Sequence, residues 1–203
     1  DGFDRPIQTR QEMEASNTFA VTDVIYNDIE QVYKESLPYE STGTSKTSAT
    51  TTADLLVTYS YDPLYRTTTT VNAAGTVTNA YDDWKQTVTD ARSKVKHLYS
   101  DAYGQLIKVD ETNSGSTYTT NYEYNGNGNL TKITDALSNV RNFTYDGLGR
   151  RLTAQDLHAS SDTSYGAWTY TYDDSGNLTQ TVDPKSQTVD YTYDDINRIL
   201  TEN

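Results

Sequence analysis

The chain has 203 residues, of which 34% are hydrophobic, with a formal net charge of -13, a pI of about 4.4 and no cysteine. An acidic surface of this size repels phosphate backbones and anionic lipid, so neither nucleic acid nor a membrane surface is expected as a partner. Without cysteine there is no disulfide framework, no zinc-thiolate site and no thiol nucleophile, and no apolar run approaches a membrane span or a signal peptide.

Leucine, isoleucine, valine and phenylalanine make up only about a sixth of the chain, a level that ordinarily warns of disorder. The 18 tyrosines argue otherwise, because they recur periodically and because tyrosine and threonine suit a half-buried pleated surface. The reading is a folded all-β chain with a tyrosine-rich core.

In chain order, Asp1-Gly2-Phe3-Asp4-Arg5 reads as the second half of a turn phrase without its tyrosine, and Asn203 follows directly on a last copy. These ends cut across the pattern, as expected of a piece of a longer protein. The polar segment from Gln8 to Ala15 is predicted to form a short helix. Asn27 opens a loosely kept unit, and Ser41 to Thr52 is Ser/Thr-rich and reads as a surface loop. Val57, Tyr59 and Tyr61 then fall on one face of a strand that runs into Asp62-Pro63, and Asp82-Asp83-Trp84-Lys85 is taken as the next turn.

From residue 98 the pattern sharpens. Ser100-Asp101 leads to Gly104, Tyr122-Glu123-Tyr124-Asn125 to Gly128, and Phe143-Thr144-Tyr145-Asp146 to Gly149. Trp168, Tyr170 and Tyr172 precede Asp173 and Gly176, while Val189, Tyr191 and Tyr193 precede Asp194 and Asn197. Counted by their Asp or Asn, nine positions (1, 27, 62, 82, 101, 125, 146, 173 and 194) are separated by 19 to 35 residues. Steps near twenty define the unit, and longer ones imply inserted loops.

Each unit reads as a hairpin. Alternation of period two marks a half-buried strand. Asp at the first turn position can accept backbone N–H bonds, and Gly suits the left-handed position of a hairpin closed with a bulge. Asn197 and Asp4 tolerate that position, whereas Glu30, Tyr65 and Lys85 fit it poorly. The returning arms alternate less cleanly (Leu178 and Val182; Leu130 and Ile133). A lone hairpin is marginal in water, so stability must be shared between stacked neighbours. The array divides into degenerate hairpins over 1–97 and regular ones over 98–203.

The phrases at Tyr145–Leu152, Tyr172–Leu178 and Tyr193–Leu200 closely resemble the tyrosine-aspartate (YD) repeat of the Rhs family, found in bacterial Rhs proteins, toxin-complex shells and teneurins. The resemblance implies consecutive antiparallel hairpins stacked into one continuous curved or spiralling sheet. It also implies a non-enzymatic role: a segment of a secreted or surface-exposed shell that encloses or presents a polymorphic toxin. The implied partners are the remaining repeats of the same polypeptide and an enclosed C-terminal toxin.

Signs of catalysis are sparse. His97 and His158 lack metal-ligand spacing, no nucleophile elbow, zincin helix or phosphate loop occurs, and neither Asp62-Pro63-Leu64 nor Asp183-Pro184-Lys185 matches the Asp-Pro-x-Gly-Leu phrase of self-cleaving Rhs cores. The pairs Asp82-Asp83, Asp173-Asp174 and Asp194-Asp195 hint at calcium but complete no ligand loop and read as turns. No cofactor or metal is expected. The alternative is adhesion or carbohydrate binding to cell-surface glycans, for which Trp84, inside a turn, is the candidate contact. Three sequons begin at Asn129, Asn142 and Asn177, two of them by-products of the repeat phrase.

Overall fold

Threonine and tyrosine in alternation, broken every few residues by Asp-led turns, leave the backbone one economical solution, the antiparallel ladder. In the computed structural model, which describes residues 2–45 and 56–203, every regular element is a strand. The chain divides into two compact units, 1–97 and 98–203.

The first unit holds β1 (Gln8–Glu12), β2 (Thr18–Tyr26), β3 (Val32–Ser36), β4 (Tyr39–Thr42), β5 (Leu56–Tyr61), β6 (Thr67–Asn72), β7 (Gly75–Asp82) and β8 (Lys85–Thr89); β9 (Val95–Ser100) begins in it. Strand β2 pairs with β1 on one side. Its other side is shared between β4 over Thr18–Val21 and β3 over Val24–Tyr26. Strand β3 then pairs with β5, and β5 to β8 follow as plain hairpins.

The second unit holds β10 (Leu106–Asn113), β11 (Ser116–Tyr124), β12 (Leu130–Thr134), β13 (Asn139–Tyr145), β14 (Arg151–Gln155), β15 (His158–Ala159), β16 (Ala167–Tyr172), β17 (Leu178–Val182), β18 (Thr188–Tyr193) and β19 (Ile199–Glu202). It repeats the same device. Strand β13 pairs with β12 on one side and is shared on the other between β15 and β14, and β14 pairs onward with β16. The two excursions, β4 and β15, fall within the two longest steps of the repeat, 27 to 62 and 146 to 173. The predicted loop from Ser41 is β4 as far as Thr42; residues 46–52 lie outside the described residues.

Three expectations are corrected. The segment from Gln8 is strand β1, not a helix. Its polar side chains find partners across the ladder, with Gln8 donating to Asp23 (2.6 Å) and the hydroxyls of Thr9 and Thr22 bonded to each other. Second, the tyrosines are not a closed core. The buried apolar residues among those described are Val21, Val109, Phe143 and Ala154, while Tyr59, Tyr61, Tyr122, Tyr124, Tyr145, Tyr170, Tyr172, Tyr191 and Tyr193 are half-buried and Trp168 is 36% exposed. Third, Asp82 does not open a repeat turn. It pairs directly with Lys85 across a two-residue loop, and Asp83, not Lys85, takes positive φ.

Candidate functional site

The feature that recurs is a five-residue turn held by one carboxylate or amide oxygen. At Asp101, Oδ1 accepts the backbone N–H of Tyr103 and of Gln105, both at 2.9 Å. The Asp101 N–H donates to the Gln105 carbonyl, and the Gly104 N–H returns to the Asp101 carbonyl. Backbone pairs of the same kind close turns led by Asn27, Asp62, Asp90, Asn125, Asp135, Asp146, Asp173, Asp183 and Asp194. Asn27 and Asn125 serve as well as Asp, so an oxygen, not a charge, is what the turn needs.

The fourth residue of every such turn is left-handed: Glu30, Tyr65, Ser93, Gly104, Gly128, Ser138, Gly149, Gly176, Ser186 and Asn197. Glu30 and Tyr65 therefore occupy the position they were expected to fit poorly. The turn's own bonds hold them in a conformation that costs a non-glycine residue of order 1 kcal/mol. At Gly176 a Cβ would meet only Arg150 Nη1, at 3.9 Å. Gly176→Val is therefore expected to cost about 1–3 kcal/mol through backbone strain alone, measured by urea unfolding. A variant that unfolds like the parent would contradict the turn.

Sequence reasoning missed the turns at Asp90, Asp135 and Asp183. Their signal is present as a second phrase, Asp-x-x-Ser, in Asp90-Ala91-Arg92-Ser93, Asp135-Ala136-Leu137-Ser138 and Asp183-Pro184-Lys185-Ser186. It joins the returning arm of one hairpin to the outgoing arm of the next.

The tyrosine that ends a hairpin's outgoing arm has a second task at seven positions. Its hydroxyl donates to a main-chain carbonyl on the preceding hairpin, five residues after that hairpin's turn Asp or Asn. Tyr61 reaches Val32 (2.7 Å), Tyr81 reaches Thr67 (3.0 Å) and Tyr124 reaches Leu106 (2.9 Å). Tyr145 reaches Leu130 (2.8 Å), Tyr172 reaches Arg151 (3.0 Å) and Tyr193 reaches Leu178 (2.9 Å). Tyr26 bonds Pro6 in the same manner (3.1 Å). Phe143, the first aromatic of its phrase, is buried instead.

Beside these clasps the register slips by one residue. The shift falls just before the clasping tyrosine in the hairpins closed by Tyr26, Tyr61, Tyr124, Tyr145, Tyr172 and Tyr193. A bulge of one residue flips the side-chain alternation. That is why Leu130 and Ile133, three apart, lie opposite Tyr124 and Tyr122.

The last turn residue links neighbouring turns. Arg150 Nε binds Asp146 Oδ2 (2.6 Å), its Nη1 donates to the Asp173 carbonyl (3.1 Å), and its guanidinium lies 4.8 Å from the Tyr172 ring centroid. Asn177 Nδ2 bridges Asp173 Oδ2 (2.9 Å) and Asn197 Oδ1 (2.8 Å). Arg66 binds Asp62 and stacks 4.2 Å from the Tyr81 ring.

These contacts set the titration behaviour. The Asn139 amide and its backbone N–H hold Asp135 below the usual carboxylate range, and Asn177 does the same for Asp173. Asp90 and Asp194 are lowered chiefly by the backbone N–H groups of Lys94 and Arg198. Burial raises the phenols of Tyr61, Tyr124 and Tyr172 above 10.0. A lowered carboxyl contributes stability above its unfolded value near 4, lost as pH falls through the folded value; a raised phenol contributes below about 10, lost as pH rises through the folded value. The melting temperature is expected to hold a plateau between these limits and to fall below about pH 4 and above about pH 10. A melting temperature that rises on acidification below pH 4 would contradict the turn assignment.

The remaining candidates are dispersed. Trp84 is 60% exposed at the tip of its two-residue loop. His97 Nδ1 bonds Thr87 Oγ1 (3.0 Å), and His158 bonds the Asp156 carbonyl and stacks 4.0 Å from Tyr165. Among the described residues no group of three His, Asp or Glu side chains is placed to hold a metal. The sequon amides of Asn142 and Asn177 are engaged, by Gln155 and by Asp173 and Asn197.

The geometry describes a repeat whose Asp or Asn, left-handed fourth residue and second tyrosine are engaged in turn and clasp. The family model for the RHS Repeat matches residues 101–138, 124–157 and 172–203. Residues 101–157 and 172–203 match the RHS Repeat, and no other stretch of the chain does so. Those matches cover the turns at Asp101, Asn125, Asp135, Asp146, Asp173, Asp183 and Asp194 and the clasps of Tyr124, Tyr145 and Tyr193. The chain's fold is shared with solved structures at low sequence identity. The crystal structure of TcdB2-TccC3-Cdc42 superposes with a TM-score of 0.73 at 19% identity, covering 100% of this chain and 12% of that one. TcdB2-TccC3 without its hypervariable C-terminal region gives 0.69 at 18% identity, covering 96% and 11%. The Photorhabdus luminescens Tc holotoxin pore gives 0.54 at 13% identity, covering 100% and 18%. The chain thus spans about an eighth of the first of these structures. No curated protein matches its sequence.

Proposed function

We propose that this chain is a non-enzymatic wall segment of an Rhs-type shell, secreted or displayed at the cell surface, that helps to enclose or present a polymorphic toxin. The observation that carries the reading is the clasp. Seven tyrosine hydroxyls bond the end of an outgoing arm to the hairpin before it, so the recurring residues serve continuity of a wall and not a pocket. Residues 1–97 and 98–203 are, on this reading, degenerate and regular parts of one array, whose partners are the remaining repeats of the polypeptide and an enclosed C-terminal toxin. The turn residues Asp101, Gly104, Gly128, Asp146, Gly149, Asp173, Gly176, Asp194 and Asn197 keep its edges in register. The likeness to TcdB2-TccC3 structures supports it.

The test is limited proteolysis of the protein expressed from its full reading frame. A segment C-terminal to the repeats should resist protease until the repeats are unfolded. Cleavage of that segment at the same rate before and after unfolding would overturn the reading.

A second reading, adhesion through a cell-surface glycan, is favoured by the exposure of Trp84 alone. Reproducible glycan-array binding that Trp84→Ala abolishes would support it over the wall, and a blank array would remove it.

A further inference from the structure

We propose that the cleft between the turns led by Asp173 and Asp194 is a binding site for a guanidinium group, the side chain of an arginine. The argument rests on what fills the same place in other hairpins. Arg5 lies 4.3 Å from the ring centroid of Tyr26, Arg66 4.2 Å from that of Tyr81 and Arg150 4.8 Å from that of Tyr172. Each of these arginines immediately precedes the residue whose carbonyl takes the tyrosine's hydrogen bond, Pro6, Thr67 or Arg151. Tyr193 bonds Leu178, so the residue in the arginine's place is Asn177.

An exposed acid accompanies each arginine. The second residue after the clasping tyrosine is Asp28, Asp83 or Asp174 in those hairpins. Where Gln31, Gln105 or Asn129 stands in the arginine's place, the corresponding residue is Pro63, Gly126 or Gly147. The Tyr193 hairpin keeps the acid, Asp195, without the arginine.

A cleft of about 320 Å³ lies at this place, and Asn177, Tyr193, Asp194, Asp195 and Asn197 are among its lining residues. Asn177 is too short to cover a ring, and its amide bridges Asp173 and Asn197 instead. What remains suits a planar cation. The face of the Tyr193 ring attracts positive charge through its quadrupole. The carbonyl of Asp194 corresponds to that of Asp173, which accepts from Arg150 Nη1 at 3.1 Å. A guanidinium stacks on aromatic faces and directs a rigid fork of donors at oxygen, which an ammonium cannot do. The net charge of -13 draws such a cation in. The inference does not depend on what the wall encloses.

The experiment titrates the isotopically labelled chain with an acetylated and amidated Gly-Arg-Gly peptide, followed by NMR of the Tyr193 ring and the Asn177 side-chain amide. Saturable shifts centred on the cleft are expected. Citrulline in place of the arginine keeps the planar shape without the charge and should bind about fivefold more weakly. Arginine amide is titrated in parallel. Equal affinity supports the site with the side chain as its whole ligand, and tighter binding of the peptide supports it with a polypeptide segment as the source. Asp195→Asn should weaken binding severalfold. Asn177→Arg, which lays the chain's own guanidinium in the cleft, should abolish it, with circular dichroism showing an unchanged fold. No saturable shifts, equal binding of the citrulline peptide, or undiminished binding by either variant would each overturn the proposal. None of these outcomes bears on protease protection of an enclosed segment, so the proposed function stands or falls separately.

Discussion

Phe143→Ala is expected to lower the unfolding free energy by about 3–4 kcal/mol, the largest loss from any single truncation in the second unit. Phe143 is one of the few buried apolar side chains among the described residues. Its ring faces Ala154, which is 1% exposed and pairs on its other side with Trp168, so a large residue fits beside a small one. The guanidinium groups of Arg141 and Arg151 lie 5.4 and 5.2 Å from its centroid. Truncation removes both the burial and the surface on which two cations rest. Urea unfolding of Phe143→Ala and Phe143→Leu checks this. The leucine variant should lose less than half as much, and a loss below about 1 kcal/mol for the alanine variant would show that this site is not a core.

Gly75→Val is expected to cost about 3 kcal/mol or more, and more than Gly176→Val. The two glycines differ in kind. Gly176 has open space around it, so only the backbone objects. Gly75 sits at φ 127°, and a Cβ there would lie 2.7 Å from Cβ of Ala91, in the neighbouring Asp90 turn. Backbone strain and overlap therefore add at Gly75. A parallel unfolding series of Gly75→Ala, Gly75→Val and Gly176→Val reads the difference. Equal losses at the two positions would contradict the close approach of the Gly75 hairpin to the Asp90 turn.

The hairpins and their turns were legible because the features that specify them are local. Asp173 and Gly176, three residues apart, carry the whole turn, and Tyr170 and Tyr172 fix one strand face. What escaped was mostly non-local. The hydroxyl of Tyr145 finds its acceptor fifteen residues back, on another hairpin, so sequence could class the ring only by its bulk. The segment at Gln8 is polar enough to pass for a helix until β2 supplies a ladder partner for its backbone and acceptors for Gln8 and Thr9. Asp82 resembled a motif turn because Asp-Asp-Trp-Lys has the length of one, although the register closes across two residues. The Ser-bearing turns were local and still missed, because glycine was taken as the mark of the left-handed position. Their four hydrogen bonds place serine there just as well.

The central claim is that the second tyrosine of each phrase, and not the first, fastens one hairpin to the last. Tyr124, Tyr145 and Tyr193 donate to main-chain carbonyls; among the described residues, no hydrogen bond joins the hydroxyls of Tyr122, Tyr170 or Tyr191. Removing only the hydroxyl separates the two roles. Urea unfolding of the six Tyr→Phe variants should show losses of about 1 kcal/mol for Tyr124, Tyr145 and Tyr193 and changes within about 0.5 kcal/mol for Tyr122, Tyr170 and Tyr191. Equal losses in both sets, or none in either, would mean that the hairpins are not held by these clasps.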